Sequence, residues 1–299
     1  MAKKNILIIG GTGFIGRHLV KKLVNRNFYK IHCVSRTVAK KKIKNVKYIQ
    51  LNIKKKLDYK KISKFSYTYV VNVAGYINHK NSGEEHIVGL KNLINFFRNR
   101  AVKRFVQIGS STEYGFQKAP QKEFTYHKED LKSQYAINKF LATKASLKAW
   151  SEKKFPIVIA RPFIVYGPGQ KLDRLIPSAI NAFLKNKNLD CSSGMQVRDF
   201  VYIDDVLGLL IKMIFSKEKI NGKIFNIGSG KPTTVKKIIN EISTQCKGGV
   251  PIFNKLSIRK DEPKKLYADL TNSKIFFGWK PKINIKDGIA KTINFYKKK

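Results

Sequence analysis

Hydrophobic positions in this chain alternate between short solid runs and helical stripes. The runs NILIIG (5–10), KIHCV (30–34), VKYIQL (46–51), TYVVNVA (68–74), RFVQIGS (104–110) and PIVIAR (156–161) are rich in Val and Ile and nearly continuous. A strand reads that way when both of its faces are covered, as in a parallel sheet. Between the runs, FIGRHLVKKLVNR (14–26), EHIVGLKNLINFFRNR (85–100) and SQYAINKFLATKASLKAW (133–150) space apolar residues three and four apart, which predicts helices. Strands alternating with helices predict a doubly wound α/β architecture.

The pattern loosens after Arg161. RPFIVYGPGQ holds two prolines and two glycines and predicts a loop. A helix over 175–185 follows, then RDFVYIDDVLGLLIKMIF (198–215), IFNIGSG (224–230) leading to a helix from Thr233, and a closing helical DGIAKTINFYKKK. The expected division is a first domain over 1–165 and a smaller mixed C-terminal domain over 166–299 that caps the cleft. The stretch 198–228 and the C-terminal helix are expected to return to the first domain.

Composition changes this picture little. The 299 residues suffice for a substantial core, and no apolar run approaches the roughly 20 residues of a membrane span. Three cysteines, Cys33, Cys191 and Cys246, lie far apart without CxxC spacing. They predict neither a disulfide framework nor a metal site, and they suit a cytoplasmic setting. The charge is extreme, with 61 basic against 19 acidic residues and a net +42. The lysines are nevertheless spread along the whole chain. The densest clusters, 40–44 and 54–56, fall in predicted connections without interleaved aromatics, so nucleic acid is not the expected main partner. A diffuse positive field favours small anionic ligands such as phosphorylated cofactors.

The first candidate chemistry lies between the first strand and the first helix. GGTGFIG sets Gly10, Gly13 and Gly16 in a GxxGxxG spacing. Glycines there allow a tight turn, close approach of backbone N–H groups to a pyrophosphate, and close helix packing. A dinucleotide site on a Rossmann sheet is the prediction. Strand two ends VSRT, with Ser35 where a ribose-binding acid would stand and Arg36 next. A carboxylate repels a 2′-phosphate, whereas a hydroxyl and a guanidinium hold one, so NADP(H) is the expected cofactor and NAD the alternative. Asn52, just past strand three, is placed either to meet the adenine edge or to close a turn.

The second candidate is YAINK on a predicted helix. Tyr135 and Lys139 are four apart and share one face. A tyrosine hydroxyl near its usual pKa of about 10 is a weak acid and a poor base at neutral pH, and a nearby ammonium favours its phenolate.

These motifs, with IGSSTEYG, RPFIVYGPGQ, RDFVYIDDV, FNIGSG and RKDEPKKLYADLTNSKIFFGWKP, resemble the extended short-chain dehydrogenase/reductase family. The resemblance covers nearly the whole chain and is strongest to nucleotide-sugar epimerases, dehydratases and reductases. It implies that Ser110, 25 residues ahead of Tyr135, joins Tyr135 and Lys139 as the catalytic set. It implies cofactor contacts at Gly10, Thr12, Gly13, Phe14, Ile15, Gly16, Ala74, Tyr135 and Lys139. Thr112, Arg198 and Arg259 are then substrate contacts, the two arginines gripping the nucleotide diphosphate; a structural ion pair with Asp199 or Asp261 is the competing reading. Asp204 and Asp205 are expected to cap a helix starting at Val206.

Family dehydratases carry acidic residues where this chain has Ser111 and Thr112. Glu113 follows one position later and, on a strand, would face the other way. Dehydration is therefore disfavoured. Three functions remain: an NADP-dependent reductase of a GDP- or CDP-linked 4-keto-6-deoxy sugar, favoured here; a UDP-hexose 4-epimerase with bound NAD; and a non-catalytic dinucleotide- or RNA-binding relative. The resemblance also implies a homodimer through the helices at 85–100 and 133–150. The five histidines show no ligand spacing, although His79 could lie near the cleft.

Overall fold

The computed structural model describes residues 4–26, 28–39, 41–75, 85–123, 129, 131–259 and 261–298. His79, and Lys40 of the first lysine cluster, fall outside them. The chain divides into two compact units. One comprises Met1–Glu113, Leu131–Arg161 and Leu207–Phe225; the other comprises Tyr114–Asp130, Pro162–Val206 and Asn226–Lys299.

The principal sheet runs through β1 (Lys4–Ile9), β2 (Tyr29–Ser35), β3 (Val46–Gln50), β4 (Tyr69–Asn72), β5 (Arg104–Ile108), β6 (Ile157–Pro162) and β11 (Ile224–Ile227). Their order in space is β11-β6-β5-β4-β1-β2-β3. Every pair from β3 across to β6 is parallel, which confirms the doubly wound α/β expectation. The helices linking these strands are α1 (Phe14–Val24), the short α2 (Lys60–Ser63), α3 (Leu90–Phe97) and α4 (Gln134–Lys153). Burial explains the solid apolar runs. Ile6, Leu7 and Ile8 of β1 and Val70 and Val71 of β4 are all inaccessible, so neighbouring residues are covered on opposite faces. Leu7, Val70 and Phe105 meet Leu90, Leu93 and Phe97 of α3 on one of those faces.

Strand order reverses between β1 and β4. In open α/β sheets the crevice outside the strand ends at such a reversal receives the ligand. Gly10 after β1, Ala74 after β4 and Ser110 after β5 all follow those ends. One further contact fixes how the sheet edge meets α4. Gly222 has φ +74, and a Cβ there would stand 2.0 Å from Cδ1 of Trp150. Strain and overlap add, so Gly222→Ala should cost about 2–4 kcal/mol in a thermal or urea melt.

The second unit pairs β7 (Ile164–Tyr166) with β10 (Phe200–Tyr202) and β8 (Leu189–Asp190) with β13 (Pro251–Ile252), both parallel. A small sheet orders β12 (Thr233–Thr234), β9 (Val197–Arg198) and β14 (Lys265–Leu266) as β12-β9-β14. Its helices are α5 (Leu175–Leu184), α7 (Val235–Cys246), α8 (Thr271–Phe277) and α9 (Ile285–Lys297). Helix α6 (Ile203–Phe215) starts here, three residues before the expected Val206, and its residues from Leu207 count with the first unit. Among the described residues, no helix is long and apolar enough to cross a membrane.

Candidate functional site

The glycine loop is built for close approach. Gly10 has φ +81, and a Cβ on it would lie 2.6 Å from the Ala74 Cα. A Cβ on Gly16 would lie 2.2 Å from the Gly10 carbonyl oxygen, so the loop and the first turn of α1 leave no room for side chains. Gly13 caps α1 in an extended conformation without a side-chain hydrogen bond, and the first turn holds no acid. The positive helix end is thus open to a phosphate. Thr12 lies in the same loop, and Phe14 and Ile15 open α1; the bare backbone of the glycines and the open helix end fit a dinucleotide.

The neighbouring strand end is less committed to a 2′-phosphate than the sequence predicts. The Ser35 hydroxyl donates to the Thr37 carbonyl at 2.6 Å, so its proton is used within its own turn. Arg36 is exposed beside it. Asn52 closes a turn through its side-chain oxygen, which accepts the Lys54 N–H at 3.0 Å.

Helix α4 brings the candidate chemistry together. Ser133 caps it by accepting the Ala136 N–H at 3.2 Å, which sets its phase. Its buried residues include Tyr135, Asn138, Lys139, Thr143 and Ser146, a polar stripe that must find partners. The Lys139 Nζ donates to the Ile108 carbonyl at 3.1 Å, two residues before Ser110. It also lies 6.0 Å from the centre of the Tyr135 ring. The ring of His86 meets Tyr135 edge-on, centres 5.6 Å apart. His86 lies in a wide helical turn, Glu85–Gly89, ahead of α3, where the sequence predicts one continuous helix. A Cβ added to Gly75 would sit 3.1 Å from His86 Cε1 and 3.5 Å from Lys139 Nζ.

Ser110 sits where β5 gives way to a 3₁₀ turn over Ser111–Tyr114, not within a longer strand. Its Oγ accepts from the Thr112 N–H at 3.3 Å and from the Thr112 hydroxyl at 2.9 Å, which leaves the Ser110 proton to point elsewhere. Glu113 is therefore not on a strand. Its Oε1 accepts the Ser110 N–H at 2.7 Å, and its Oε2 accepts from Thr143 Oγ1 at 2.7 Å and from Arg161 Nη2 and Nε at 2.7 and 3.1 Å. Glu113 and Arg161 are both fully buried. Sequence reasoning missed this cluster. Two signals were available: Ser110-x-x-Glu113 has capping-box spacing, and an arginine ending a solid apolar strand demands a partner.

Burial lowers the pKa of Lys139 to about 8, against an opposing pull from Glu113. The folded chain releases that proton near pH 8, whereas the unfolded chain holds it to about 10.4. Across that window the unfolded state binds more protons, so the penalty for the buried charge fades as pH rises. The stability of the wild type minus that of Lys139→Met should therefore climb by about 3 kcal/mol between pH 8 and 10.5. A flat difference in urea titrations would contradict this.

In the second unit, Arg198 is buried and paired with Glu262 at 2.7 Å, and Arg259 is about half exposed and lies 3.5 Å from Asp261. Asp199 does not pair with Arg198. It accepts from Ser229 N–H and Oγ, Gly230 N–H and Ala268 N–H, and burial holds its carboxyl above the ordinary range. Asp205 accepts the Lys282 and Ile283 N–H groups at 3.0 and 2.9 Å, tying down that segment. Among the described residues, no group of three His, Cys, Asp or Glu could hold a metal ion.

Comparison with known proteins gives a consistent result. Residues 6–228 match the model of the NAD dependent epimerase/dehydratase family. The UDP-glucuronate 4-epimerase of Thermodesulfobacterium geofontis is 30% identical over 272 residues, 86% of this chain and 81% of its own. The human dTDP-D-glucose 4,6-dehydratase is 26% identical over 98% of this chain and 90% of its own. The crystal structure of the Thermotoga maritima UDP-glucose 4-epimerase with UDP-glucose is 25% identical and matches with a TM-score of 0.87, covering 98% of this chain and 99% of its own.

Proposed function

Because this chain belongs to the NAD-dependent epimerase/dehydratase family, enzymes of the extended short-chain dehydrogenase/reductase type that act on nucleotide sugars, we propose that it is a UDP-hexose 4-epimerase. The observation that carries this reading is the state of Glu113. It is the acid nearest the positions where dehydratases keep theirs, and it is fully buried and held by Arg161 and Thr143. Among the described residues, that leaves Ser110, Tyr135 and Lys139 to work without a second acid–base pair. Similarity to UDP-sugar 4-epimerases then favours epimerisation over the 4-keto reduction that the sequence alone suggested.

The proposed roles follow from the geometry. Tyr135 takes the proton of the sugar 4-hydroxyl and later returns it. Ser110, whose Oγ is already an acceptor for Thr112, donates its own proton to the same sugar oxygen. The Lys139 ammonium favours the Tyr135 phenolate. A dinucleotide in the glycine cradle would supply removal and return of hydride at C4. Gly10, Thr12, Gly13, Phe14, Ile15, Gly16 and Ala74 would hold it, with Ser35, Arg36 and Asn52 near its adenosine end. Arg198 and Arg259 are the proposed diphosphate ligands, and Thr112 borders the sugar. A homodimer through the 85–100 and 133–150 helices is part of the proposal, supported by the exposed side chains of Val88 and Leu141.

A second reading, an NADP-dependent 4-keto sugar reductase, is favoured by the absence of an acid after β2, where Ser35 and Arg36 stand. The two are separated by offering NADPH with GDP-, CDP-, dTDP- and UDP-linked 4-keto-6-deoxy sugars, and separately offering UDP-hexoses alone. Interconversion of UDP-hexoses without added cofactor is the expected result. NADPH consumption with a keto sugar, and no interconversion, would replace the epimerase by the reductase.

A further inference from the structure

The proposed mechanism leaves one buried charged cluster unused, the Glu113–Arg161 pair beneath Ser110. We propose that Glu113, fixed by Arg161 and Thr143, is a positioning residue that locks the Ser110 backbone and sets a buried negative charge whose field reaches the Lys139 ammonium. The inference rests on the Ser110–Tyr135–Lys139 reading of the site.

Three observations carry it. First, Ser110 and Glu113 close on each other. The Glu113 N–H donates to the Ser110 carbonyl at 3.1 Å, and the Ser110 N–H donates to the Glu113 carboxylate at 2.7 Å. This reciprocal closure sets the turn on which the Ser110 hydroxyl is presented. Second, the carboxylate accepts four hydrogen bonds from three different segments: the Ser110 turn, α4 through Thr143, and β6 through Arg161. Those donors fix the carboxylate on all sides, so its own position is set by the fold. There is no space to spare, since a Cβ on Gly109 would lie 2.5 Å from Glu113 Oε1 and 3.2 Å from Arg161 Cγ. Third, the same charge acts on Lys139, opposing the desolvation that lowers its pKa. Among the described residues, the other charged or titratable groups around Lys139 include Tyr135 on its own helix, His86 across Gly75, and Arg161 beyond Glu113.

Glu113 thus serves both halves of the site. It holds the alcohol in place, and it helps keep the amine charged at the pH where that charge is needed. A purely structural ion pair would stabilise the fold and leave the titration of Lys139 untouched.

The test uses Glu113→Gln combined with Arg161→Gln, so that no guanidinium is left buried without a counter-charge. Folding is followed by circular dichroism, bound dinucleotide per chain by mass spectrometry, and epimerase kinetics from pH 5 to 10. Lys139 is titrated through its ¹³Cε resonance, assigned by its loss in Lys139→Arg. The expected result is a folded, cofactor-retaining protein with kcat down about 100-fold and KM little changed. The Lys139 midpoint should fall below that of the wild type, because Glu113 is the charge that opposes its desolvation. Should the double variant not fold, Thr143→Val, which removes a single bond to the same carboxylate but keeps its charge, is expected to lower kcat several-fold without lowering the Lys139 midpoint. A folded double variant with the Lys139 midpoint of the wild type, or either folded variant with its kcat, overturns the proposal. If the wild type interconverts no UDP-hexose, the functional reading fails by itself, and the Lys139 midpoint alone then decides the role of Glu113.

Discussion

Tyr135→Phe is expected to lower kcat for UDP-hexose interconversion by about 10³-fold while leaving the fold and the bound dinucleotide intact. The substitution removes one oxygen and keeps the ring. That ring packs edge-on against His86 and is almost fully buried, so its packing survives the change. What is lost is the group that exchanges a proton with the sugar 4-oxygen. Ser110 cannot replace it. Its hydroxyl is a far weaker acid, and its Oγ already accepts two bonds from Thr112. KM should change little, because the diphosphate rather than the 4-hydroxyl supplies the binding energy in this scheme. Steady-state kinetics with a dinucleotide assay on the same preparation checks both halves of the expectation. A variant with more than a tenth of wild-type kcat would remove Tyr135 from the mechanism.

The largest effect on stability is expected from Arg161→Met. The guanidinium is fully buried and donates twice to Glu113, whose carboxylate is equally buried. Methionine fills much of the same volume but leaves that carboxylate with only the Ser110 N–H and the Thr143 hydroxyl. Breaking a buried pair from one side costs about 3–5 kcal/mol, because the remaining charge has lost its compensation. Urea melts at pH 8 measure it. A loss below about 1 kcal/mol at pH 8 would show that the pair does not carry this energy.

How much of this was legible beforehand depends on the kind of signal. The sheet was legible because both faces of its strands are covered, so β1, β2 and β4 to β6 appear as solid apolar runs and the helices between them as stripes. The glycine loop was legible because Gly10 and Gly16 answer a steric demand that the sequence states directly. Strand ends were not. β5 stops at Ile108 because Ser110 and Glu113 offer the backbone a competing set of local hydrogen bonds, which periodicity does not register. The same effect displaced Glu113 from its expected strand. The start of α3 was misjudged for a related reason: the wide turn at Glu85–Gly89 has helical periodicity, and only the contact of His86 with Tyr135 reveals its role. Ion-pair partners were legible only where they are local: Arg259 meets Asp261, one of the two acids the sequence offered, whereas Arg198 meets Glu262 rather than Asp199, a choice made by tertiary packing.

The claim on which the account turns is that hydride leaves C4 of the sugar and comes back to the same carbon. It is tested most directly with a UDP-hexose carrying deuterium at C4, incubated with the purified chain and no added cofactor. Mass spectrometry of the 4-epimer should find deuterium fully retained at C4, over many turnovers per chain. Product that has lost the label, or that forms only as NADPH is consumed, would contradict it.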